Sequence, residues 1–252
     1  MEQHLTKKQK RRITFFSILS ILIIWKGASM VTGSQFILPA PEKVVVDFIN
    51  MLVTGSFYIS ISVTVLRGIA GFVIAFILAL LLGILAGISP VFRTWFTPFL
   101  VIIRSTPVIS VILLALIWFH TDTVPVFIAI LTMFPILCNN IMDGISTVDQ
   151  GLVEMANTYK VSNYRVIKEV YLPGTLPFLF SGVSSAMGFG WRAVIIGEVL
   201  AQPLHGIGTG MQLAQTYLMV SKVISWTVVA VLISMVFEKL IRRVESRVVV
   251  WN

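Results

Sequence analysis

Apolar residues in this chain of 252 residues come in long runs rather than in the two- or 3.6-residue alternation of a soluble domain. Six of these runs approach or exceed the roughly 20 residues that a helix needs to cross a bilayer. Because the run at 59–88 is longer than that, we expect it to tilt, to kink or to begin in the membrane interface. The six predicted spans cover residues 13–30, 59–88, 95–118, 125–142, 176–200 and 223–237.

The composition agrees with a bilayer as the solvent. The chain is 57% hydrophobic and 12% charged, whereas about 25% of the residues in an average soluble domain are charged. This composition excludes intrinsic disorder, and the single cysteine, Cys138, excludes a fold built on disulfides. We therefore predict an all-α polytopic membrane protein with six transmembrane helices, in which a basic segment, 1–12, precedes one transmembrane domain, 13–252.

Lysine and arginine residues predict the orientation of the spans. With the amino terminus in the cytoplasm, thirteen of the nineteen basic residues lie on that side, and only Lys26, Lys43 and Lys222 lie on the other. Cytoplasmic loops of membrane proteins carry an excess of basic residues, so both termini are predicted to be cytoplasmic. The net charge of +8 is then a topology signal, and it gives no reason to expect nucleic-acid binding.

Between the first two spans, residues 42–53 repeat apolar side chains at helical spacing with polar residues between them. This pattern predicts an amphipathic helix that lies on the outer surface of the membrane. The apolar members of the repeat are Val45, Phe48, Ile49 and Leu52.

The longest polar interval, residues 146–173, predicts two short cytoplasmic helices. Thr147 with Gln150 fits a capping box for the first helix. The second is expected to begin at Ser162 and to end at Pro173. A helix pair of this kind either packs on the membrane bundle or receives a partner protein. The apolar faces predicted from the spacing are Leu152, Met155, Ala156 and Tyr159 on the first helix, and Val166, Ile167 and Val170 on the second.

Charged residues inside the predicted spans are candidates for function, because an unpaired charge in a bilayer costs several kcal/mol. These residues are Arg67, Arg104, Arg192 and Glu198. Arg192 and Glu198 are six positions apart, so they pair directly only if the glycine-rich helix between them is broken. Trp191 and Arg192 would then line a translocation path and attract an anion, whereas an Arg192 near the outer end of its span would simply reach the headgroups.

The same span carries small residues at helical spacing, namely Ser181, Ser184, Ser185 and Gly188. Such a face serves either for close helix packing, within or between subunits, or as a wall in contact with a solute. The three histidines lack metal-ligand spacing, and His120 with Asp122 fits a solvated turn. We therefore predict no metal site, and no catalytic nucleophile with its base and orienting acid.

The cytoplasmic loop also carries a resemblance to a known family. The run Glu154-Met155-Ala156, then Lys160, then Val170-Tyr171-Leu172-Pro173 is similar to the EAA loop of permease subunits in ATP-binding-cassette (ABC) importers. The pattern of that loop is Glu-Ala-Ala, three residues, Gly, nine residues and Ile-x-Leu-Pro. The spacing agrees throughout, with Lys160 in the place of the glycine, where a left-handed turn costs another residue roughly 1 kcal/mol or more.

Further motifs extend the resemblance over residues 36–245. They are Leu38-Pro39-Ala40-Pro41, Arg67-Gly68 with Gly71-Phe72, Gly83 and Gly87, Arg104-Ser105-Thr106-Pro107, Trp118-Phe119, Phe134-Pro135-Ile136, Leu176-Pro177 and Gly197-Glu198. In this order they look like the branch of type I importer permeases that handles nitrate, aliphatic sulfonates, taurine and related small solutes.

The resemblance implies a non-catalytic permease subunit of the bacterial cytoplasmic membrane. It implies pairing with a second copy or a paralogue, two cytoplasmic ABC ATPases that bind ATP and Mg, and an extracytoplasmic solute-binding protein. The chain has no G-x-x-x-x-G-K-[ST] loop, so no cofactor is expected in it. Coupling to the ATPases is assigned to Glu154, Met155, Ala156, Tyr159, Lys160, Leu172 and Pro173. The translocation path candidates are Arg104, Trp191, Arg192, Glu198 and Ser185.

Three alternatives remain at this stage. The solute of the same kind of permease is alternatively a pyrimidine or another heterocyclic vitamin precursor. A secondary transporter driven by an ion gradient would need buried acidic residues, of which Glu198 and Asp143 are the main candidates, and inverted repeats. A membrane-embedded enzyme would need a polar catalytic cluster near a bilayer interface, and none is evident.

Overall fold

A computed structural model of the chain describes residues 6–248, and those residues are helical with no strand among them. The first residues of the basic segment 1–12, including His4, and the last four residues of the chain lie outside this range. The helices are α1 (Lys7–Thr32), α2 (Pro41–Leu52), α3 (Gly55–Ile88), α4 (Pro90–Ser105), α5 (Val108–Trp118), α6 (Val124–Ser146), α7 (Gln150–Thr158), α8 (Asn163–Val166), α9 (Leu172–Ala201), α10 (Ile207–Thr216) and α11 (Val220–Val248), with a π-helical turn (Ile167–Tyr171) joining α8 to α9.

Five helical segments are long and apolar enough to cross a membrane, and a bent pair, α4 with α5, makes six if it counts as one span. The sequence-predicted span at 95–118 is therefore not one straight helix, because its two halves meet at 93°. Thr106 precedes Pro107 and has an extended backbone, with ψ at 128°. A residue before proline is disfavoured in the helical region, so the chain bends there. The run at 59–88, in contrast, lies within one continuous helix of 34 residues.

Residues 1–58, as far as described, and 210–229 form one compact unit. The amphipathic helix predicted over 42–53 is present as α2. Its buried side chains, Val44, Asp47 and Met51, point into the unit, whereas Val45 and Ile49 of the predicted apolar stripe are exposed. That exposed stripe is what an interfacial helix needs on its membrane side.

An ion pair links α1 to α2 within this unit. Lys26 Nζ lies 2.8 Å from Glu42 Oε1, and the hydrogen bond from this ammonium group lowers the pKa of Glu42. Deeper in the unit, Ser221 donates a hydrogen bond to the buried Asp47, and Ser225 donates one to the carbonyl of Val44. These polar contacts fix α2 on the start of α11.

Residues 59–209 and 230–248 belong to the second compact unit. Its core lies on α6, whose Met133, Leu137 and Ile141 are almost completely buried. Glycines bring α3 close to the other helices: a Cβ atom at Gly71 would lie 2.6 Å from the Cβ of Ala129, and one at Gly68 would lie 2.8 Å from the ring of Trp191. The small residues thus set the distance between helices, as they do in membrane bundles.

The loop 146–173 differs from the sequence prediction at two points. The predicted capping box at Thr147 is wrong, because α6 continues to Ser146 and Thr147 forms its carboxyl-terminal cap. Asp149 caps α7 instead, and its carboxylate accepts a hydrogen bond of 2.8 Å from the amide of Gly151. A carboxylate at this position is a favourable acceptor for the free amides of a helix start and interacts well with the helix dipole.

The predicted helix end at Pro173 is also wrong. The helical path runs from Asn163 through the π turn and Pro173 into α9 without a break. Pro173 lies in the first turn of α9, where its missing N–H group is tolerated, and the wider turn before it relieves the clash of the proline ring. The second half of the loop is therefore a helical extension of a span.

Candidate functional site

The turn after α7 is held in a left-handed conformation. Lys160 has φ at +50°, the amide of Val161 donates to the carbonyl of Ala156 at 2.9 Å, and the amide of Lys160 donates to that of Asn157 at 3.0 Å. This is the Schellman arrangement that usually places glycine at the left-handed position. Lys160 thus takes the conformation that the glycine of the family pattern would take, at the cost of backbone strain.

The turn folds α7 back toward α8 and leaves a groove of about 260 Å³ between them. Leu152, Met155, Ala156 and Tyr159 share one face of α7 and line the groove, as the spacing predicts. From the second helix Val166 and Val170 also line it, but Ile167 does not. Ala156 and Val166 are buried, whereas Leu152, Met155 and Tyr159 are exposed. Exposed apolar side chains around a polar-rimmed groove are typical of a protein-binding surface.

Glu154 lies on α7 with its side chain exposed. In the described part of the chain, no hydrogen bond or ion pair involves its carboxylate, and only its backbone carbonyl accepts a bond, from Thr158. The carboxylate does not bond the backbone amides at the helix end. The carboxylate is therefore free to pair with a basic residue of a partner protein.

An ion pair connects the end of α6, where the loop begins, to the start of α4. Arg93 Nη2 lies 2.7 Å from Asp143 Oδ1, and Arg93 also donates to the hydroxyl of Ser146. Both side chains of the pair are partly exposed. The segment at which the loop begins thus contacts the bent pair α4–α5.

The path candidates occupy three kinds of environment. Ser185 and Arg192 are exposed on one face of α9, and the guanidinium carbon of Arg192 lies 5.8 Å from the ring centroid of Phe189. Arg104 is exposed in the last turn of α4. Trp191 is only 2% exposed and packs on Phe237 with ring centroids 4.7 Å apart. Trp191 is a core residue of this chain, and its assignment to the path stays a prediction.

Glu198, the last path candidate, is completely buried and forms the centre of a polar network. Its carboxylate accepts hydrogen bonds from Arg67 Nη1 at 2.8 Å, from Thr64 Oγ1 at 2.9 Å and from the amide of Gly208 at 2.9 Å. Thr64 Oγ1 in turn accepts from the amide of Ile207. A buried carboxylate needs such partners, because an uncompensated charge there is strongly destabilising.

Arg67 extends the network to two connecting segments. Its Nη2 lies 2.6 Å from Oδ1 of Asp122, in the turn between α5 and α6, and its Nη1 donates to the carbonyl of His205. The break that a direct Arg192–Glu198 pair would require is not present, because α9 is continuous from Leu172 to Ala201, and Glu198 pairs with Arg67 of α3. Sequence reasoning missed Thr64 and Asp122, although unpaired charges in two spans already signalled that partners were required.

The described residues hold no cluster of three or more histidine, cysteine, aspartate or glutamate side chains with metal-binding geometry. Asp122, which the sequence places near His120, forms an ion pair with Arg67.

Comparison with known proteins agrees with the loop and the spans. Residues 71–250 match the model of the family described as binding-protein-dependent transport system inner membrane component. The chain is 33% identical to the putative aliphatic sulfonates transport permease protein SsuC of Escherichia coli K12 over 241 residues, 94% of this chain and 91% of that protein. It is 24% identical to the taurine transport system permease protein TauC of the same organism over 96% of this chain and 91% of that protein.

A third relative, the riboflavin transport system permease protein RibX of Chloroflexus aurantiacus, is 30% identical over 202 residues, 79% of this chain and 75% of that protein. The family match covers well over half of the chain. This match supports an ABC transporter permease over the alternatives of an ion-coupled transporter and a membrane-embedded enzyme. The chain belongs to the inner-membrane components of binding-protein-dependent transport systems and is a multi-pass ABC transporter permease.

Proposed function

We propose that this permease forms the path for a small solute that carries an anionic group, such as a sulfonate or taurine, and is driven by two cytoplasmic ABC ATPases that bind loop 146–173. The solute would be delivered by an extracytoplasmic binding protein. ATP and Mg would be bound by the ATPases, and the permease would work with a second copy or a paralogue. Both termini would be cytoplasmic, as the distribution of basic residues predicts.

The observation that carries this proposal is the construction of the loop. The groove between α7 and α8 presents exposed apolar side chains beside the free carboxylate of Glu154. Helix α8, on the other side of the groove, is continuous with α9 through the π turn. When two ATPases close on ATP, a helix pair held in their surface grooves would move as a lever and rotate α9 with it.

The direct test is a charge reversal on the loop. In a complex of the permease with its ATPases and binding protein, Glu154→Lys is expected to abolish the stimulation of ATP hydrolysis by the loaded binding protein and to leave membrane insertion intact. Glu245→Lys makes the same change on α11, outside the loop, and should keep the stimulation. Equal stimulation in wild type and Glu154→Lys would contradict the coupling role.

A heterocyclic solute is the second candidate, and the likeness to the riboflavin system permease favours it. The sulfonate relative is matched over more of this chain, 94% against 79%, which supports the anion. Binding of radiolabelled taurine, butanesulfonate and riboflavin to the cognate binding protein separates the two candidates. Only the sulfonates or only riboflavin should bind at low concentration.

A further inference from the structure

The bend between α4 and α5 borders an open cavity of about 420 Å³ on the surface of the second unit. That volume is in the range of binding sites for small molecules. Its walls come from the end of α4, the start of α5, the middle of α6 and one side chain of α9. The cavity therefore lies at the bend of the chain before Pro107.

The walls are apolar with one cation. Ile102, Val108, Val111, Ile128, Leu131 and Ile136 supply aliphatic surface. Arg104 and Thr132 also line the cavity. Within residues 6–248, Arg104 has no carboxylate within ion-pair distance and no hydrogen bond, and the hydroxyl of Thr132 is likewise free of hydrogen bonds to other residues there.

Two of the other arginines in the same unit differ from Arg104 in this respect. Arg67 and Arg93, on α3 and α4, each have a carboxylate partner. An arginine that lies in an apolar span without a partner of its own is expected to serve a ligand or a pathway. Its guanidinium presents paired N–H groups that match the oxygens of a carboxylate or a sulfonate.

A second guanidinium lies against one side chain of the cavity wall. Phe189 lines the cavity, and Arg192 lies against its ring at 5.8 Å. Arg192 also has no carboxylate partner in the described residues. Of the residues that the structure describes, Arg104 is thus the one charged side chain in the cavity wall, and no acidic side chain lines it.

We infer that this cavity is a solute-binding site of the permease itself, which holds an aliphatic monoanion with its charged group on Arg104 and its hydrocarbon part against α5 and α6. The inference rests on the proposed function, since it gives the anion a place in the path. A neutral heterocycle fits less well, because it would leave the charge of Arg104 without a partner and would find only two hydroxyl-bearing side chains, Thr106 and Thr132, in the wall.

The experiment measures binding without the binding protein, so that its selectivity does not enter. The permease–ATPase complex in nanodiscs is equilibrated with radiolabelled 1-butanesulfonate, with empty nanodiscs to subtract partition into lipid. Wild type should bind saturably, and unlabelled butyrate should compete whereas riboflavin should not. Arg104→Gln should weaken binding at least tenfold, Arg104→Lys should weaken it less, and Arg243→Gln on α11 should leave it unchanged.

A second variant tests the apolar half of the site. Leu131→Trp fills the cavity and keeps the guanidinium, so it should also abolish saturable binding. Absence of saturable binding in wild type, as when a second copy of the chain fills the cavity, would overturn the inference. Unchanged affinity in both Arg104→Gln and Leu131→Trp would do the same.

Stimulation of ATP hydrolysis by the loaded binding protein is measured on the same nanodiscs. Normal stimulation without butanesulfonate binding would reject this cavity and leave the coupling role of the loop intact. Butanesulfonate binding without stimulation would reject the coupling role and leave the cavity.

Discussion

Arg67 of α3 and Glu198 of α9 form an ion pair of 2.8 Å with both side chains buried, although they are 131 positions apart in the sequence. The pair joins α3 and α9 to the start of α10, where Ile207 and Gly208 donate their amides to the same network. Breaking such a pair by removing one partner leaves an uncompensated buried charge, which typically costs about 3–5 kcal/mol.

Glu198→Gln is therefore expected to destabilise the second unit strongly, because Arg67 keeps only the exposed Asp122 as a carboxylate partner. The thiol of Cys138 is completely buried, so its reaction with a maleimide during a thermal ramp reports unfolding. Glu238→Gln breaks the exposed pair of Glu238 with Arg242 and should change the midpoint little, since exposed pairs contribute about 0–1 kcal/mol. Equal midpoints for the two variants would contradict a stabilising role of the buried network.

Lys160→Gly is expected to stabilise the loop by roughly 1 kcal/mol, because the left-handed conformation at φ +50° costs a lysine this amount and costs glycine almost nothing. Hydrogen–deuterium exchange of the amides over 150–161 should slow accordingly. Lys168→Gly is the matched control in the π turn, where φ is negative. There glycine should destabilise the helical turn by roughly 1 kcal/mol, so the amides of that turn should exchange faster. Faster exchange in Lys160→Gly would show that the side chain, rather than the backbone, holds the turn.

The sequence predicted those features of the loop that depend on local periodicity and motif spacing. The face formed by Leu152, Met155, Ala156 and Tyr159 follows from helical geometry alone, and the left-handed turn at Lys160 follows from the family pattern. The cap at Asp149 was missed, because two neighbouring residues both suit an N-cap and the choice depends on where α6 ends.

Features that depend on tertiary packing were not predicted. Charges inside spans required partners, but pairing of Glu198 with Arg67 depends on the close approach of α3, which glycines such as Gly68 permit. The passage through Pro173 depends on a π turn, which carries no clear sequence signal. The cavity at Arg104 depends on the angle between α4 and α5, and composition contains no information about an angle.

The orientation of the chain gives a further prediction. The cysteine of Lys160→Cys should react with an impermeant maleimide only in inside-out vesicles. The cysteine of Lys43→Cys should react only in right-side-out spheroplasts. Both lysines are exposed, and the native Cys138 is buried and provides a silent background. Labelling of both positions from the same side would contradict the six-span topology, and the reverse pattern would contradict cytoplasmic termini.

Variants at two glycines distinguish helix packing within the chain from helix packing between two copies of the chain. A Cβ atom at Gly68 would lie 2.8–2.9 Å from the Trp191 ring, whereas one at Gly188 has nothing within 4 Å. Gly68→Val is therefore expected to lower the unfolding midpoint, because overpacking in a core costs about 1–3 kcal/mol. Gly188→Val should leave the unfolding midpoint, measured by Cys138 labelling, unchanged. It should reduce pairing of permease copies, because it places a bulky side chain on the exposed small-residue face that includes Ser181 and Ser185.

Pairing is measured by cross-linking and by the mass of the complex in detergent, and the midpoint by Cys138 labelling in the same samples. Gly27→Val on α1 serves as the control for both, since a Cβ atom there also meets nothing within 4 Å and lies on a different helix. If Gly188→Val pairs as well as wild type, the small-residue face of α9 is not the contact between copies, and Ser185 stays available as a wall of the path. If Gly68→Val keeps the wild-type midpoint, the approach of α3 to Trp191 is looser than the 2.8 Å separation implies.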